Sequence, residues 1–302
     1  METNRKELLT FLSLLFVLTA LSYLPIALRH IPHAENSLYA LGFVFSPCLA
    51  ALITCLVYRG NLHGLGWRWG KTRYPLISYF LPIIYGAAVY GLVCLLGWGA
   101  LNHAYINKFI LVKGAGRDFL VFATLGVLIR GIGAVGEEIG FRGYLVPQLA
   151  KMTSFTKTCL ISGSIWAIWH LPLVFLTNYG RRDALSLGCM IITLISASFI
   201  FAWLRLKSGS VWPAVILHAS HNRYIQDLFD HLVAHTGYTK PIVGEYGLGL
   251  AVVLPIIALV CCRWFPLPQP HPVVPRAVKI NLVETLPAEQ RRERGTEKRV
   301  EV

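Results

Sequence analysis

The chain has few charged side chains and very few acidic ones, which excludes an ordinary soluble domain. Only 14% of its 302 residues are Asp, Glu, Lys or Arg, and 55% are hydrophobic, whereas soluble domains carry about 25% charged residues. Between Glu35 and Asp183 the acidic residues are Asp118, Glu137 and Glu138 alone. This shortage of charge indicates a membrane protein, in which each remaining carboxylate needs a physical reason.

Several patterns that define other classes of protein are also missing. The seven cysteines all fall in apolar segments, and none has CxxC or Cys/His ligand spacing, so we interpret them as small buried side chains. The His-Glu-x-x-His helix of common zinc proteases is absent. The formal net charge of +13 is spread over loops and the tail, with no folded basic face, so nucleic acid is not an expected partner.

Eight long apolar segments predict an all-α, polytopic membrane protein of about eight transmembrane helices. Helices satisfy the backbone polar groups for which lipid offers no partner, and about 20 residues cross a hydrocarbon core of about 30 Å. The segments define an integral membrane helical domain over 1–265, and the proline-rich, charged tail over 266–302 is expected to be disordered and cytoplasmic. The segments run roughly over 8–28, 38–58, 75–101, 119–149, 158–176, 184–204, 211–232 and 246–265.

The loops indicate how the chain lies in the membrane. The side that holds both termini carries slightly more Lys and Arg than the opposite side. The positive-inside rule therefore places both termini in the cytoplasm. We expect a bacterial inner membrane in preference to an endoplasmic reticulum.

The fourth segment, 119–149, is too long for one straight crossing, because about 31 helical residues extend roughly 46 Å. We expect this segment to be strongly tilted or broken. Its five glycines between 131 and 143 supply break points, and they also allow helices to approach closely. The charge of Arg130 is unexplained by this pattern; the side chain is expected to snorkel or to pair with Asp118 or Glu137.

Three polar clusters interrupt the apolar segments, each on a separate predicted helix. An ionised side chain near a bilayer centre costs about 3 kcal/mol on insertion scales, so such groups indicate a wet cavity lined by protein. The clusters are Glu137-Glu138-x-x-x-Arg142, Trp166-x-x-x-His170 and His218-Ala219-Ser220-His221-Asn222.

Helical spacing gives each cluster a physical interpretation. Residues four apart share one helix face, so Glu138 and Arg142 are predicted to pair in support of the fold. Glu137 then lies about 100° round the helix and faces elsewhere. His218 and Asn222 share a face in the same way and can point together at one oxygen atom.

The depths of the clusters predict that they meet. Counted from the proposed cytoplasmic ends at 1.5 Å per residue, Glu137 lies about 20 Å deep, His170 about 18 Å and His218 about 12 Å. Trp166, one turn before His170, is expected to pack over its ring, whereas His221 is expected to have no role. The sequence therefore predicts one cavity that is reached from the cytoplasmic side.

Two chemistries fit such a cavity. A carboxylate can take a proton from water and so create a nucleophile, and imidazole and amide N–H groups can stabilise the resulting oxyanion, which together describe peptide hydrolysis. Alternatively, Glu137, His170 and His218 form a plausible three-ligand zinc site with an open position for water. The residues do not choose between these two mechanisms, so zinc is the one cofactor that stays open.

The three clusters, in this order and on separate helices, resemble the CPBP family of intramembrane proteases. That family includes CAAX prenyl endopeptidases related to Rce1 and bacterial proteins linked to bacteriocin processing or immunity. The resemblance covers roughly Phe119 to Tyr224, about a third of the chain. The residues that match the family are Glu137, Glu138, Arg142, His170, His218 and Asn222.

The resemblance implies an eight-helix intramembrane endopeptidase that acts on a membrane-associated protein or peptide. A CAAX-type prenylated chain is one substrate that the resemblance allows, and the residues leave open whether the substrate is prenylated. By resemblance, Glu137 activates water, and His170, His218 and Asn222 hold the oxyanion. Trp166 departs from the family, which commonly has Phe there, and the tail is a second departure. Two other functions remain open, namely a catalytically silent immunity or scaffold protein on the same fold and a proton-coupled carrier; the carrier would be favoured by inverted repeats, and none is present.

Overall fold

Helices make up nearly all the regular structure, as the apolar segments predict. A computed structural model describes residues 2–29, 38–110, 115–177, 179–234, 236–237 and 239–264; the predicted tail, 266–302, lies outside the described residues. The α-helices are α1 (Glu2–Arg29), α2 (Leu38–Arg59), α3 (Arg73–Leu95), α4 (His103–Ile110), α5 (Ala115–Val121), α6 (Val127–Glu138), α7 (Val146–Ala150), α8 (Phe155–Leu176), α9 (Ala184–Ser208), α10 (Trp212–His221), α11 (Asp230–Leu232) and α12 (Leu248–Trp264).

Three π-helical segments and one short antiparallel strand pair complete the described secondary structure. The π segments are π1 (Phe122–Gly126), π2 (Ile139–Leu145) and π3 (Asn222–Phe229). The strands are β1 (Ala100–Leu101) and β2 (Val233–Ala234).

Six helices in the described ranges are long and apolar enough to cross a membrane, and a shorter apolar helix covers Leu248–Arg263. The prediction of an all-α, polytopic membrane protein is confirmed. Of the eight predicted segments, 211–232 is helical through α10, π3 and α11. The six long helices are Thr3–Leu28, Ala40–Arg59, Arg73–Leu95, Gly116–Ala150, Phe155–Leu176 and Ala184–Ser208.

The fourth segment stays helical along its whole described length and has no break at its glycines. The elements α5, π1, α6, π2 and α7 follow one another without interruption, and π2 contains two of the five expected break points, Gly140 and Gly143. A π turn carries an extra residue, and such turns are frequent at functional sites. Here π2 begins directly after Glu138 and π3 begins at Asn222, so two of the polar clusters lie at π turns.

Glycines in this segment instead allow α2 to pack closely, as the sequence also predicts. A Cβ atom at Gly136 would lie 2.7 Å from the carbonyl oxygen of Val44. A Cβ atom at Gly140 would lie 2.6 Å from the carbonyl carbon and oxygen of Pro47. Backbone atoms cannot move aside as a side chain can, so these two glycines hold the α6–π2 segment against α2.

Replacing Gly140 by Ala is therefore expected to destabilise the protein by about 1–3 kcal/mol, the usual range for overpacking. Gly131→Ala is the matched control, because the nearest atom to its new Cβ would be the Cβ of Ala219 at 4.0 Å. The melting temperature of both variants in detergent tests this. Equal melting temperatures would show that the close packing of α2 does not require glycine at position 140.

The helix packing brings the three polar clusters to one place. Helix α6, which carries Glu137, packs against both α2 and α10. Helix α9 packs against α8, α10 and α12. Helix α8, with His170, and helix α10, with His218, therefore share α9 as a neighbour.

Candidate active site

A cavity of about 170 Å³ lies among these helices. Side chains from all three polar clusters line it, namely Glu137, Trp166, His170, His218 and Asn222. The volume has room for several water molecules, each of which needs polar partners of the kind found here. The structure therefore brings together the residues that the sequence placed in one cavity.

Glu137 is buried, and its two carboxylate oxygens have different surroundings. Oε2 accepts a hydrogen bond from Trp166 Nε1 at 3.0 Å. Oε1 lies 4.0 Å from His218 Nε2, which is too long for a direct hydrogen bond. One oxygen is thus fixed by the indole, and the other lies beside an imidazole, where a water molecule could bond to both.

Trp166 therefore makes a hydrogen bond that a Phe side chain could not make. We expect Trp166→Phe to lower the rate of a reaction at Glu137 about tenfold, because it leaves the carboxylate of Glu137 without a buried hydrogen bond. The kcat of the purified variant measures this effect. Trp169→Phe is the matched control, because Trp169 Nε1 donates to Thr19 Oγ1 at 2.9 Å and not to Glu137. An unchanged kcat in Trp166→Phe would contradict this role.

Glu138 and Arg142 form the predicted ion pair behind the cavity. Arg142 NH1 donates to Glu138 Oε1 at 3.0 Å, and both side chains are buried. The guanidinium carbon of Arg142 also lies 4.0 Å from the ring centre of Trp166 and 4.3 Å from that of Phe201. Aromatic faces thus surround this cation, and Glu138 is its one carboxylate partner among the described residues.

The same carboxylate orients His218. His218 Nδ1 lies 2.8 Å from Glu138 Oε1, and a carboxylate oxygen accepts hydrogen bonds, so Nδ1 carries the proton. His170 has the same tautomer, because its Nδ1 donates to the carbonyl oxygen of Trp166 at 2.9 Å. In each ring, Nε2 therefore carries a lone pair when the ring is neutral, and it donates a hydrogen bond when the ring is an imidazolium.

These tautomers suit zinc binding when the rings are neutral and hydrogen-bond donation to an oxyanion when the rings are imidazolium ions. An Nε2 lone pair with Nδ1–H bound to a carbonyl or carboxylate is the arrangement of a zinc-binding histidine, so the donor types of Glu137, His170 and His218 match the metal. Their arrangement does not, because the described part of the chain contains no group of three or more His, Cys, Asp or Glu side chains placed to hold a metal ion.

One prediction about an individual side chain needs correction. Arg130 does not pair with Asp118 or Glu137; its Nε donates to Asp227 Oδ2 at 2.9 Å, while Asp118 pairs with Arg117. Asp227 lies on π3, which packs against α6, and a helical pattern within one segment cannot show such a partner.

His221, which was expected to have no role, lines the same cavity. Its Nδ1 lies 2.5 Å from the hydroxyl of Tyr85. Glu245 also lines the cavity, and sequence reasoning missed it. Glu245 lies in a loop outside the apolar segments, where a charged side chain is ordinary. The sequence therefore contains no sign that this carboxylate lines the cavity.

These features define a class: a multi-pass membrane protein with carboxylate, imidazole and amide groups around a buried cavity. Residues 117–224 match the family described as type II CAAX prenyl endopeptidase Rce1-like, and this segment contains all three polar clusters. The predicted resemblance is thereby confirmed over this segment, which is similar to the Rce1-like family. Glu245 lies outside the matched segment.

A curated relative is similar over part of the chain. It is named CAAX prenyl protease 2, from Methanococcus maripaludis, and is 29% identical over 132 residues. The alignment spans 42% of this chain and 46% of the relative, so it covers less than half of each protein.

Proposed function

We propose that the protein is an intramembrane endopeptidase that hydrolyses a peptide bond of a membrane-associated protein or peptide. The observation that carries this proposal is that Glu137, His170, His218 and Asn222 line one buried cavity. The Rce1-like segment supports the same class of reaction. The name of the relative adds a CAAX-type prenylated chain as the proposed substrate.

In the first step, water binds beside Glu137 Oε1, near His218 Nε2. The carboxylate takes a proton from this water as the oxygen attacks the carbonyl carbon of the peptide bond. The π electrons of the carbonyl group move to its oxygen, which becomes an oxyanion. Imidazolium Nε2–H of His170 or His218 and the amide of Asn222 are the proposed donors to this oxyanion.

In the second step, the tetrahedral intermediate collapses. The C–N bond breaks, and the nitrogen receives the proton held by Glu137, which restores the carboxylate. The products are a new carboxylic acid and a new amine, which ionise to a carboxylate and an ammonium group, and the reaction consumes one water molecule. Glu138 and Arg142 take no part in the bond changes and position His218 from behind the cavity.

The location of the protein belongs to the same proposal. Six long apolar helices support a multi-pass membrane protein, and the distribution of Lys and Arg supports cytoplasmic termini. We propose a bacterial inner membrane and entry of the substrate from the cytoplasmic side. Labelling of a single introduced cysteine near each terminus, in intact cells and in inverted vesicles, tests the orientation.

Cleavage by the purified protein tests the function. The protein is reconstituted in liposomes with a farnesylated CAAX-type peptide, and the same peptide without the farnesyl group is the control. Mass spectrometry of the products is expected to show one internal peptide bond broken. Intact peptide after long incubation would contradict the proposal, and transport of peptide into the liposomes without cleavage would favour a carrier.

Metal analysis separates the two mechanisms. We propose the mechanism with glutamate as the base, since the described donors are not arranged as a metal site. Cleavage is therefore expected to continue in protein that contains less than about 0.1 zinc per chain and in the presence of a chelator. Loss of cleavage with the chelator, together with recovery when zinc is added, would assign zinc to Glu137, His170 and His218 instead.

A further inference from the structure

A second carboxylate faces the cavity that contains Glu137. Glu245 lies in the loop before α12, outside the Rce1-like segment, and its side chain is 19% exposed. Two neighbours that also line the cavity, Tyr179 and Gln226, surround this carboxylate. The mechanism above uses none of these three residues.

Hydrogen bonds connect this carboxylate to the proposed oxyanion donor. Tyr179 Oη donates to Glu245 Oε2 at 2.5 Å. Gln226 Nε2 donates to the same oxygen at 2.9 Å. The same Nε2 donates to Asn222 Oδ1 at 3.4 Å, so Gln226 connects Glu245 with Asn222.

The chemistry of the groups determines the direction of each bond. Burial raises the pKa of Glu245 to about 6, so at neutral pH the carboxylate is mainly ionised and only accepts hydrogen bonds. Gln226 must therefore turn its NH₂ group, and not its oxygen, towards Glu245. The second hydrogen of that NH₂ group then points at Asn222, which must present its oxygen.

The consequence lies at Asn222. Once Asn222 Oδ1 accepts from Gln226, its Nδ2 group is the part of the amide left to face the cavity. The reversed amide would place two NH₂ groups of Gln226 and Asn222 against each other. An oxyanion needs donors, so only the first orientation stabilises the transition state.

We propose that Glu245 and Gln226 are positioning residues, which hold the amide of Asn222 with its NH₂ group directed at the oxyanion. The inference deepens the proposed function and rests on it. It adds two residues that do not touch the reacting atoms. It also assigns a role to the loop before α12, which the family resemblance leaves unexplained.

A double-mutant cycle on kcat tests this inference. Asn222→Ala is expected to lower kcat about 100-fold, as removal of an oxyanion donor does. Gln226→Leu is expected to lower kcat about tenfold with KM changed less than twofold. The double variant is expected to equal Asn222→Ala, because Gln226 acts only through Asn222.

Two further comparisons separate positioning from packing. Glu245→Leu removes the acceptor and is expected to lower kcat about tenfold, whereas Glu245→Gln keeps an acceptor oxygen and is expected to stay within about threefold of wild type. Thr54→Val removes a buried hydroxyl that donates to the carbonyl oxygen of Ala50, away from the residues that line the cavity and from these hydrogen bonds, and should leave kcat unchanged. If Gln226→Leu does not fold, Glu245→Leu takes its place in the cycle.

Losses that multiply in the double variant, or a Gln226→Leu variant with wild-type kcat, would overturn the inference. In that case cleavage that still depends on Glu137 would leave the proposed function standing. A wild-type protein that cleaves nothing would instead remove the proposed function, and the positioning role with it.

Discussion

Replacing Glu137 by Gln is expected to lower kcat about 1,000-fold while the protein stays folded. General bases typically contribute 10²- to 10⁴-fold to a rate, and an amide cannot take a proton from water. Glutamine has the shape of glutamate and keeps an oxygen that can accept from Trp166 Nε1, which now bonds to Glu137 Oε2 at 3.0 Å. The loss should therefore be chemical and not structural.

The measurement is single-turnover cleavage of the farnesylated peptide in liposomes, with protein in excess. The melting temperature of Glu137→Gln in detergent, compared with that of wild type, is the control for folding. Thr193→Val provides the control for a conservative change elsewhere in the cavity. Cleavage by Glu137→Gln within about tenfold of wild type would rule out this carboxylate as the base.

Much of the site was predictable because charge in a membrane is informative. Glu137, His170 and His218 lie in apolar segments where a polar side chain is costly, so each marked a helix face that lines the cavity. The spacing of four between Glu138 and Arg142 predicted a pair within one helix, and the structure has that pair at 3.0 Å.

Contacts between helices were not predictable in the same way. The bond from Trp166 to Glu137 and the ion pair of Arg130 with Asp227 join residues that are far apart in the chain. Periodicity states which residues share one helix face and says nothing about which helices are neighbours. A single sequence therefore predicts that polar side chains converge without identifying their partners.

The π turns and the loop before α12 limit the prediction further. An assumed 3.6 residues per turn loses its phase when a π turn adds a residue. Here π2 begins at Ile139, directly after Glu138, and π3 begins at Asn222. Glu245 lies in a loop, where a carboxylate is ordinary. Its position beside Gln226 depends on how the chain returns before α12.

The ion pair behind the cavity leads to the second large effect, which is on stability. Arg142→Leu is expected to destabilise the protein by about 3–5 kcal/mol, because it leaves a buried carboxylate without its cation. Glu138 has no solvent exposure, and His218 at 2.8 Å would be its remaining partner among the described residues. Thermal unfolding in detergent should show a melting temperature about 10 °C lower.

The double variant Glu138→Gln/Arg142→Leu separates the loss of charge balance from the loss of packing. If the uncompensated carboxylate causes the destabilisation, removing both charges should restore more than half of the lost melting temperature, because a neutral amide is far less costly to bury. If the contacts of Arg142 with the rings of Trp166 and Phe201 dominate, the double variant should be as unstable as Arg142→Leu. An Arg142→Leu variant with the melting temperature of wild type would mean that Glu138 is not held as a buried anion. Glu138 would then have to orient His218 as a neutral carboxyl group.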